Sequence, residues 1–190
     1  MSSRSLLVLC LVLSAAACGK QKPPVTAAAA DPGTLREQAT PDGNLIVEVD
    51  LDGDGRADIY NYFRQLEDGG RLLLRKELDL NRDGRIDVWS FYTEAGVMER
   101  EEMDGDFDGN VDWVDHYQGD KRVMSEIDTK NSGRYDLFKY YEGDHIRRKE
   151  RDTNGDGRID HWEYFDEKGE NVIKVGWDID GDGQMDVREE

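Results

Sequence analysis

From residue 43 onward, short segments rich in aromatic and β-branched residues alternate with acidic segments that contain glycine. Five of the apolar segments begin directly after an aspartate and run for about five residues, a length and composition typical of a β-strand. These segments are 59–63, 88–92, 113–117, 137–141 and 161–165. A glycine-containing turn follows each one, and a second short run, such as 97–103 or 172–177, leads to the next acidic segment. Strand, tight turn and strand predict one β-hairpin in every repeat.

The repeated hairpins predict an all-β fold in which antiparallel β-hairpin repeats form a meander or a solenoid, joined by six acidic loops. A single hairpin is only marginally stable in water, whereas stacked neighbours bury a shared face. The repeat domain is expected to cover residues 43–190. Two helices per repeat are the competing interpretation, which the shortness of the segments and their aromatic content disfavour.

The acidic segments are six copies of one nine-residue pattern, which we number loops 1 to 6. They cover residues 50–58, 79–87, 104–112, 128–136, 152–160 and 178–186. Aspartate or asparagine occupies positions 1, 3, 5 and 9 in five copies, and glycine occupies position 6 in all six. The candidate metal ligands in these five copies are Asp50, Asp52, Asp54 and Asp58; Asp79, Asn81, Asp83 and Asp87; Asp104, Asp106, Asp108 and Asp112; Asp152, Asn154, Asp156 and Asp160; and Asp178, Asp180, Asp182 and Asp186.

This spacing points to calcium as the cofactor. Oxygen ligands at positions 1, 3 and 5 converge when the chain curls around one point, and glycine at position 6 permits the sharp turn. A main-chain carbonyl at position 7 and a carboxylate at position 9 can complete the shell. Ca²⁺ accepts roughly six to eight oxygens in irregular geometry, whereas Mg²⁺ requires a stricter octahedron. The five regular loops therefore predict about five calcium ions.

The loops resemble the DxDxDG calcium-binding loops of EF-hands, dockerin modules, thrombospondin type 3 repeats and integrin-α-type β-propellers, as tandem copies in a bacterial protein. Loops 5 and 6 also carry an acid at position 12, Glu163 and Glu189, as an EF-hand does. The resemblance implies a calcium-binding module and leaves a helical EF-hand or dockerin-like assembly module as an alternative. A metal-independent β-hairpin binding scaffold is a second alternative.

Loop 4 departs most from the pattern. It keeps Asp128 and Asp136 at positions 1 and 9, but Lys130 and Ser132 replace the acids at positions 3 and 5. Our hypothesis is that this degenerate loop holds no ion. The Lys130 ammonium group would then supply positive charge near the two remaining aspartates.

Charged residues also recur just outside and inside the loops. A glutamate lies two residues before each of the first five loops, and four loops carry arginine at position 7. The glutamates are Glu48, Glu77, Glu102, Glu126 and Glu150, and the arginines are Arg56, Arg85, Arg134 and Arg158. Two interpretations remain open: ion pairs across the neck of each loop, or independently solvated charges.

The net charge of −18 argues against a nucleic-acid partner, because so many negative charges repel a phosphate backbone. Charged residues make up 36% of the chain, a composition that favours disorder. However, 20 of the 43 acidic residues lie at positions 1, 3, 5 and 9 of the loops. The composition therefore predicts disorder for the calcium-free chain and folding when cations neutralise the loops.

The N-terminus predicts export. Arg4, the apolar run 6–13 and the small residues that follow are typical of a signal peptide, which we assign to residues 1–17. Residues 14–19 resemble a bacterial lipobox with Cys18 as the acylated residue, although Ala15 stands where that motif usually has leucine. Residues 18–42 are expected to form a lipid-anchor cysteine and a disordered linker. Cleavage without lipidation would give a secreted protein instead.

No motif for a catalytic nucleophile, a phosphate loop or a zinc site occurs in the sequence, and the three histidines lack zinc spacing. We therefore expect no enzymatic activity. The sequence predicts a calcium-binding, calcium-stabilised repeat protein of the bacterial cell envelope, at the outer membrane or cell surface. Its expected role is that of a structural or interaction module, with calcium and an unidentified envelope protein or glycan as partners.

Overall fold

The computed structural model describes residues 34–189. Thirteen strands form one antiparallel sheet, in which every strand pairs with its neighbours in chain order. The strands are β1 Thr34–Ala39, β2 Asn44–Asp50, β3 Ile59–Gln65, β4 Arg71–Leu78, β5 Val88–Tyr92, β6 Met98–Met103, β7 Trp113–Gln118, β8 Lys121–Ile127, β9 Leu137–Glu142, β10 His145–Arg151, β11 His161–Phe165, β12 Val172–Trp177 and β13 Val187–Glu189. No helix in this part of the chain is long and apolar enough to cross a membrane.

The predicted hairpin repeats are confirmed. The five aromatic segments form β3, β5, β7, β9 and β11, and each is followed by a turn and its antiparallel partner. The helical alternative is wrong, since residues 34–189 contain no helix. The segments are too short for stable helices, and their aromatic and β-branched side chains suit a pleated sheet.

The sheet is an open meander with a single layer, because each strand contacts only the strands beside it in sequence. Connections at the two ends of the strands alternate along the chain. All six acidic loops therefore lie side by side at one end of the strands, and the glycine turns lie at the opposite end.

The sheet begins earlier than the sequence indicated. The linker was expected to reach residue 42, but β1 occupies Thr34–Ala39 and pairs with β2, with Leu35 opposite Val49. Leu35 and the following residues of β1 are exposed and mostly polar. The strand is held by main-chain pairing with β2, so its sequence shows no alternation of apolar and polar residues. The predicted signal peptide, Cys18 and the linker up to residue 33 lie outside the described residues.

Buried apolar side chains are few and thinly spread. On β2, Leu45, Val47 and Val49 alternate onto one face, and the remaining buried apolar residues are Ala57, Val88, Val114, Ile127, Leu137 and Trp162. The least exposed side chains of all are polar: Ser125 at 0%, Asp87 at 1%, and Asp50 and Asp104 at 2%. Apart from Ser125, which lies within β8, these most enclosed positions belong to aspartates of the loops.

The glutamates that precede the loops take partners within the sheet. The carboxylate of Glu77 lies 3.0 Å from Arg75 Nε, and that of Glu102 lies 3.1 Å from Arg100 Nη1. Each arginine stands two residues earlier on the same strand, where alternate side chains share a face. Both open interpretations, pairing with the position-7 arginines and independent solvation, are therefore wrong for these two glutamates.

Candidate calcium-binding loops

One hydrogen bond recurs in all six loops, from the position-6 glycine amide to the carboxylate at position 1. In loop 1 the amide of Gly55 donates to Asp50 Oδ2 at 2.9 Å. The equivalent distances in loops 2 to 6 are 2.8, 2.7, 2.6, 2.8 and 2.6 Å. These glycines all have a positive φ, from 77° to 97°, which residues with a side chain rarely adopt. Glycine at position 6 therefore sets the curl of the loop.

A second recurring bond closes the neck of each loop. The position-9 carboxylate accepts a hydrogen bond from the position-2 amide, at 2.6 Å between Asp58 Oδ2 and the Leu51 nitrogen. The same contact measures 2.6, 2.8, 2.6, 2.9 and 2.9 Å in loops 2 to 6. Nine of the twelve aspartates at positions 1 and 9 are buried. The aspartates at positions 1 and 9 therefore stabilise the loop itself, through hydrogen bonds from its main-chain amides.

Hydrogen bonds from these main-chain amides favour the ionised form of the position-1 carboxylates. Burial of Asp50 raises its pKa, but the hydrogen bonds from the amides of Gly53 and Gly55 outweigh that effect, and the net shift is downward. The pKa values of Asp152 and Asp178 are lowered by the same balance. These carboxylates are therefore held in the charged form that a metal ion requires.

Three loops bring three carboxylate oxygens within 4.8 Å of one another. The clusters are Asp50, Asp52 and Asp58 in loop 1; Asp104, Asp106 and Asp108 in loop 3; and Asp178, Asp180 and Asp186 in loop 6. In loops 2 and 5 position 3 is Asn81 or Asn154, whose Oδ1 accepts the position-5 amide at 2.9 and 2.8 Å. The aspartate of loop 1 does the same at 3.1 Å. The amide oxygens therefore stand where the other loops place a carboxylate.

Loop 3 contains a buried carboxylate oxygen with no partner. Asp104 Oδ2 accepts the Gly109 amide, but Oδ1 is enclosed and has no hydrogen bond. In loops 1, 2, 5 and 6 the equivalent oxygen accepts the position-4 amide, at 2.6 to 2.8 Å. Position 4 of loop 3 is Phe107, with φ of 65°. An enclosed anionic oxygen without a partner is unfavourable, and a cation would satisfy it.

Repulsion among the acids of loop 3 points to the same conclusion. The pKa of Asp106 is raised by partial desolvation and by the negative charges of Asp108, Asp112 and Asp104. A divalent cation among these carboxylates would relieve that repulsion.

In loop 4 protein groups satisfy both aspartates. Asp128 accepts the amides of Lys130, Gly133 and Arg134, at 3.1, 2.6 and 3.1 Å. Asp136 accepts the amide and the hydroxyl group of Thr129. The Lys130 Nζ atom lies 3.6 Å from Asp136 Oδ2, so the predicted positive charge stands beside this aspartate.

Three arginines contact a neighbouring loop, and the nine-residue pattern does not predict these contacts. Arg134 of loop 4 donates to the Gly155 carbonyl of loop 5 at 3.2 Å, and Arg158 of loop 5 donates to the Gly181 carbonyl of loop 6. These two position-7 arginines therefore each hold the following loop. In the reverse direction, Arg82 of loop 2 approaches the acids of loop 1.

The position-12 acid of loop 5 takes a partner in the sheet. Glu163 lies in β11, and its carboxylate is 3.8 Å from Lys149 Nζ. Loop 5 is followed directly by a strand, so position 12 belongs to the sheet and position 9 closes the loop.

Comparison with known proteins identifies one of the loops. A family model described as EF hand matches residues 76–88, which contain loop 2. The chain matches no curated protein and no solved structure. The match supports a calcium-binding loop, and the carboxylate clusters are consistent with calcium as a partner.

Proposed function

We propose that this chain is a calcium-binding, calcium-stabilised repeat protein of the bacterial cell envelope, anchored through a lipid on Cys18. It acts as a non-enzymatic structural or interaction module towards an envelope protein or a glycan. The observation that carries calcium binding is the enclosed Asp104 Oδ1 atom, which lies in a cluster of three carboxylates and has no partner.

Each ion would be held by the oxygens at positions 1, 3, 5 and 9 of a regular loop. All of these donors are carboxylates or amide oxygens, the ligands that hard cations prefer. Main-chain amides fix positions 1 and 9 and also donate to the acids at positions 3 and 5 of loop 1, so calcium would bind a loop that is already formed.

Calcium would stabilise this sheet by reducing the repulsion among the acidic loops, which lie side by side at one end of the strands. Five Ca²⁺ ions add ten positive charges and change the net charge from −18 to −8. A ligand that binds only the folded state stabilises it in proportion to the logarithm of its concentration over Kd. With so few buried aliphatic side chains, the sheet depends on this contribution more than a protein with a large core does.

The envelope location is supported by the sequence of residues 1–18, with its apolar run and its cysteine. Calcium sites of extracellular modules have Kd values of about 10⁻⁴ to 10⁻³ M, and such modest affinity suffices outside the cytoplasm. Mass spectrometry of the mature N-terminus tests this assignment. Diacylglycerol on Cys18 supports the lipoprotein, whereas an unmodified cysteine supports a secreted protein.

Thermal unfolding followed by circular dichroism tests the proposed calcium dependence. We expect a β-sheet spectrum and a higher melting temperature in calcium than in chelator, with a smaller effect of magnesium at equal concentration. If chelator changes neither the spectrum nor the melting temperature, calcium stabilisation is wrong and the metal-independent scaffold takes its place.

A further inference from the structure

Lys130 of loop 4 contacts oxygen atoms from two loops. Its Nζ atom donates to the main-chain oxygens of Asp152 and Thr153, at 2.9 and 3.2 Å. The same atom lies 3.6 Å from the carboxylate of Asp136. Asp152 and Thr153 open loop 5, and Asp136 closes loop 4. One ammonium group therefore stands where two carbonyls and a carboxylate from successive loops converge.

Position 3 has the opposite chemistry in the other loops. There it supplies an oxygen, from Asp52, Asn81, Asp106, Asn154 or Asp180. In loop 4 it supplies a cation, and Ser132 replaces the acid at position 5. The two remaining aspartates of loop 4 accept hydrogen bonds from amides and a hydroxyl group, as those of loop 5 do, and Asp136 also has this ammonium group beside it. Loop 4 thus keeps the loop framework and provides its own positive charge.

We propose that Lys130 is a tethered cation that takes the place of a bound ion in loop 4 and ties this loop to loop 5, whether or not calcium is bound. Lys130 is a positioning residue, since it acts on the main chain of a neighbouring loop.

Loop 4 also reaches the loop on its other side. Asn131, at position 4, donates through its side-chain amide to Asp106 of loop 3. Its φ of 49° lies in the left-handed region, which asparagine tolerates better than most residues. Two adjacent side chains of loop 4 therefore engage both neighbouring loops, and the calcium-free protein is expected to keep its best order around residues 128–160.

The first test removes the charge in the absence of calcium. Lys130→Met keeps most of the stem and removes the ammonium group, and Lys121→Met at the exposed start of β8 is the matched control. In chelator we expect Lys130→Met to lower the melting temperature by about 2–4 °C. Amide exchange in loops 4 and 5 should become about fivefold faster. The control should change neither quantity, and Lys130→Arg should keep most of the protection.

Equal melting temperatures and equal exchange in loops 4 and 5 for Lys130→Met and the control would overturn the proposal. This test needs no calcium, so it decides the role of Lys130 even if the protein binds no ion.

The second test exchanges the tethered cation for a free one. Lys130→Asp combined with Ser132→Asp restores acids at positions 3 and 5. In chelator this variant should melt below the parent protein. In calcium it should recover the parent melting temperature and bind one ion more than the parent, as counted by native mass spectrometry. If the parent protein binds calcium and the double variant binds no additional ion, Lys130 does not take the place of an ion.

Discussion

Loops 3 and 4 are successive copies of the same pattern, and they complete the same framework in opposite ways. In both, the position-6 amide donates to the position-1 carboxylate, at 2.7 Å in loop 3 and 2.6 Å in loop 4. In loop 3 one oxygen of Asp104 is enclosed without a partner, among acids that repel one another. In loop 4 three amides satisfy Asp128, and Lys130 stands beside Asp136.

The difference separates two tasks that the DxDxDG pattern combines. Positions 1, 6 and 9 build the loop through hydrogen bonds to the main chain, and all six copies keep them. Positions 3 and 5 set the local charge. Acids there add negative charge to the regular loops, whereas Lys130 places a positive charge beside Asp136 in loop 4.

Removing the position-1 aspartate from each loop should have the largest effect and should affect the two loops differently. Asp104→Ala leaves the Gly109 amide without its acceptor, at a cost of about 1–3 kcal/mol, and Asp128→Ala should cost more because it leaves three amides without theirs. Only Asp104→Ala should reduce the number of bound calcium ions, by one. Denaturant unfolding and native mass spectrometry measure the two effects. Loss of an ion in both variants would contradict the division of tasks.

Glycine at position 6 should matter equally in both loops. Gly109 and Gly133 have φ values of 97° and 77°, and no atom lies close enough to exclude a methyl group sterically. Alanine at either position should therefore cost about 1–2 kcal/mol through backbone strain alone. Urea denaturation of both variants in chelator checks this expectation. A cost confined to one loop would show that the two frameworks differ.

The two loops should also titrate differently when calcium is absent. Burial raises the pKa of Asp128, but the amides of its loop outweigh that effect, so its pKa lies below the ordinary value of about 3.9. The pKa of Asp106 lies above its ordinary value, because of desolvation and the neighbouring acids. On acidification Asp106 should therefore take up a proton before Asp128 does, which NMR of the carboxyl carbons can follow.

The two shifts have opposite consequences for stability. The contribution of Asp128 is fully present above the ordinary pKa and is lost as the pH falls through its lowered folded value. Protonation of Asp106 instead relieves repulsion in the calcium-free fold. Protonation of Asp128 at the higher pH would contradict this assignment.

A small change in calcium affinity is expected in loop 1, where Arg82 of the next loop lies beside the acidic side chains. Arg82 lies 3.5 Å from Asp52 Oδ2 and 3.8 Å from Asp58 Oδ1, and its side chain is half-exposed. Arg82→Gln should raise the calcium affinity of loop 1 by up to about fivefold, the range of an exposed ion pair. Calorimetric titration measures the change. Weaker binding would mean that Arg82 supports the site.

The hairpins and the loops were readable from the sequence because both follow local patterns. Aromatic segments next to glycine turns predicted β3 and its equivalents, whereas β1 has no apolar alternation and escaped detection. The partner of Glu77 was also readable, since Arg75 lies two residues away on the same face of β4.

Contacts between repeats could not be predicted in the same way. Lys130 meets the carbonyl of Asp152, and Arg158 meets that of Gly181, only because the sheet stacks successive loops side by side. The unpartnered oxygen of Asp104 has no signal in the nine-residue pattern. Arg82 occupies the same position in loop 2 with nearly the same φ as Phe107, and its amide does donate to Asp79.

Native mass spectrometry can count the calcium ions that the folded protein binds. The parent protein should bind five ions, one for each loop with oxygen ligands at positions 3 and 5, and Asp104→Ala should bind four. Asp128→Ala should still bind five. A parent protein that binds no calcium would contradict the account, and six ions would contradict the distinction between loop 4 and the others.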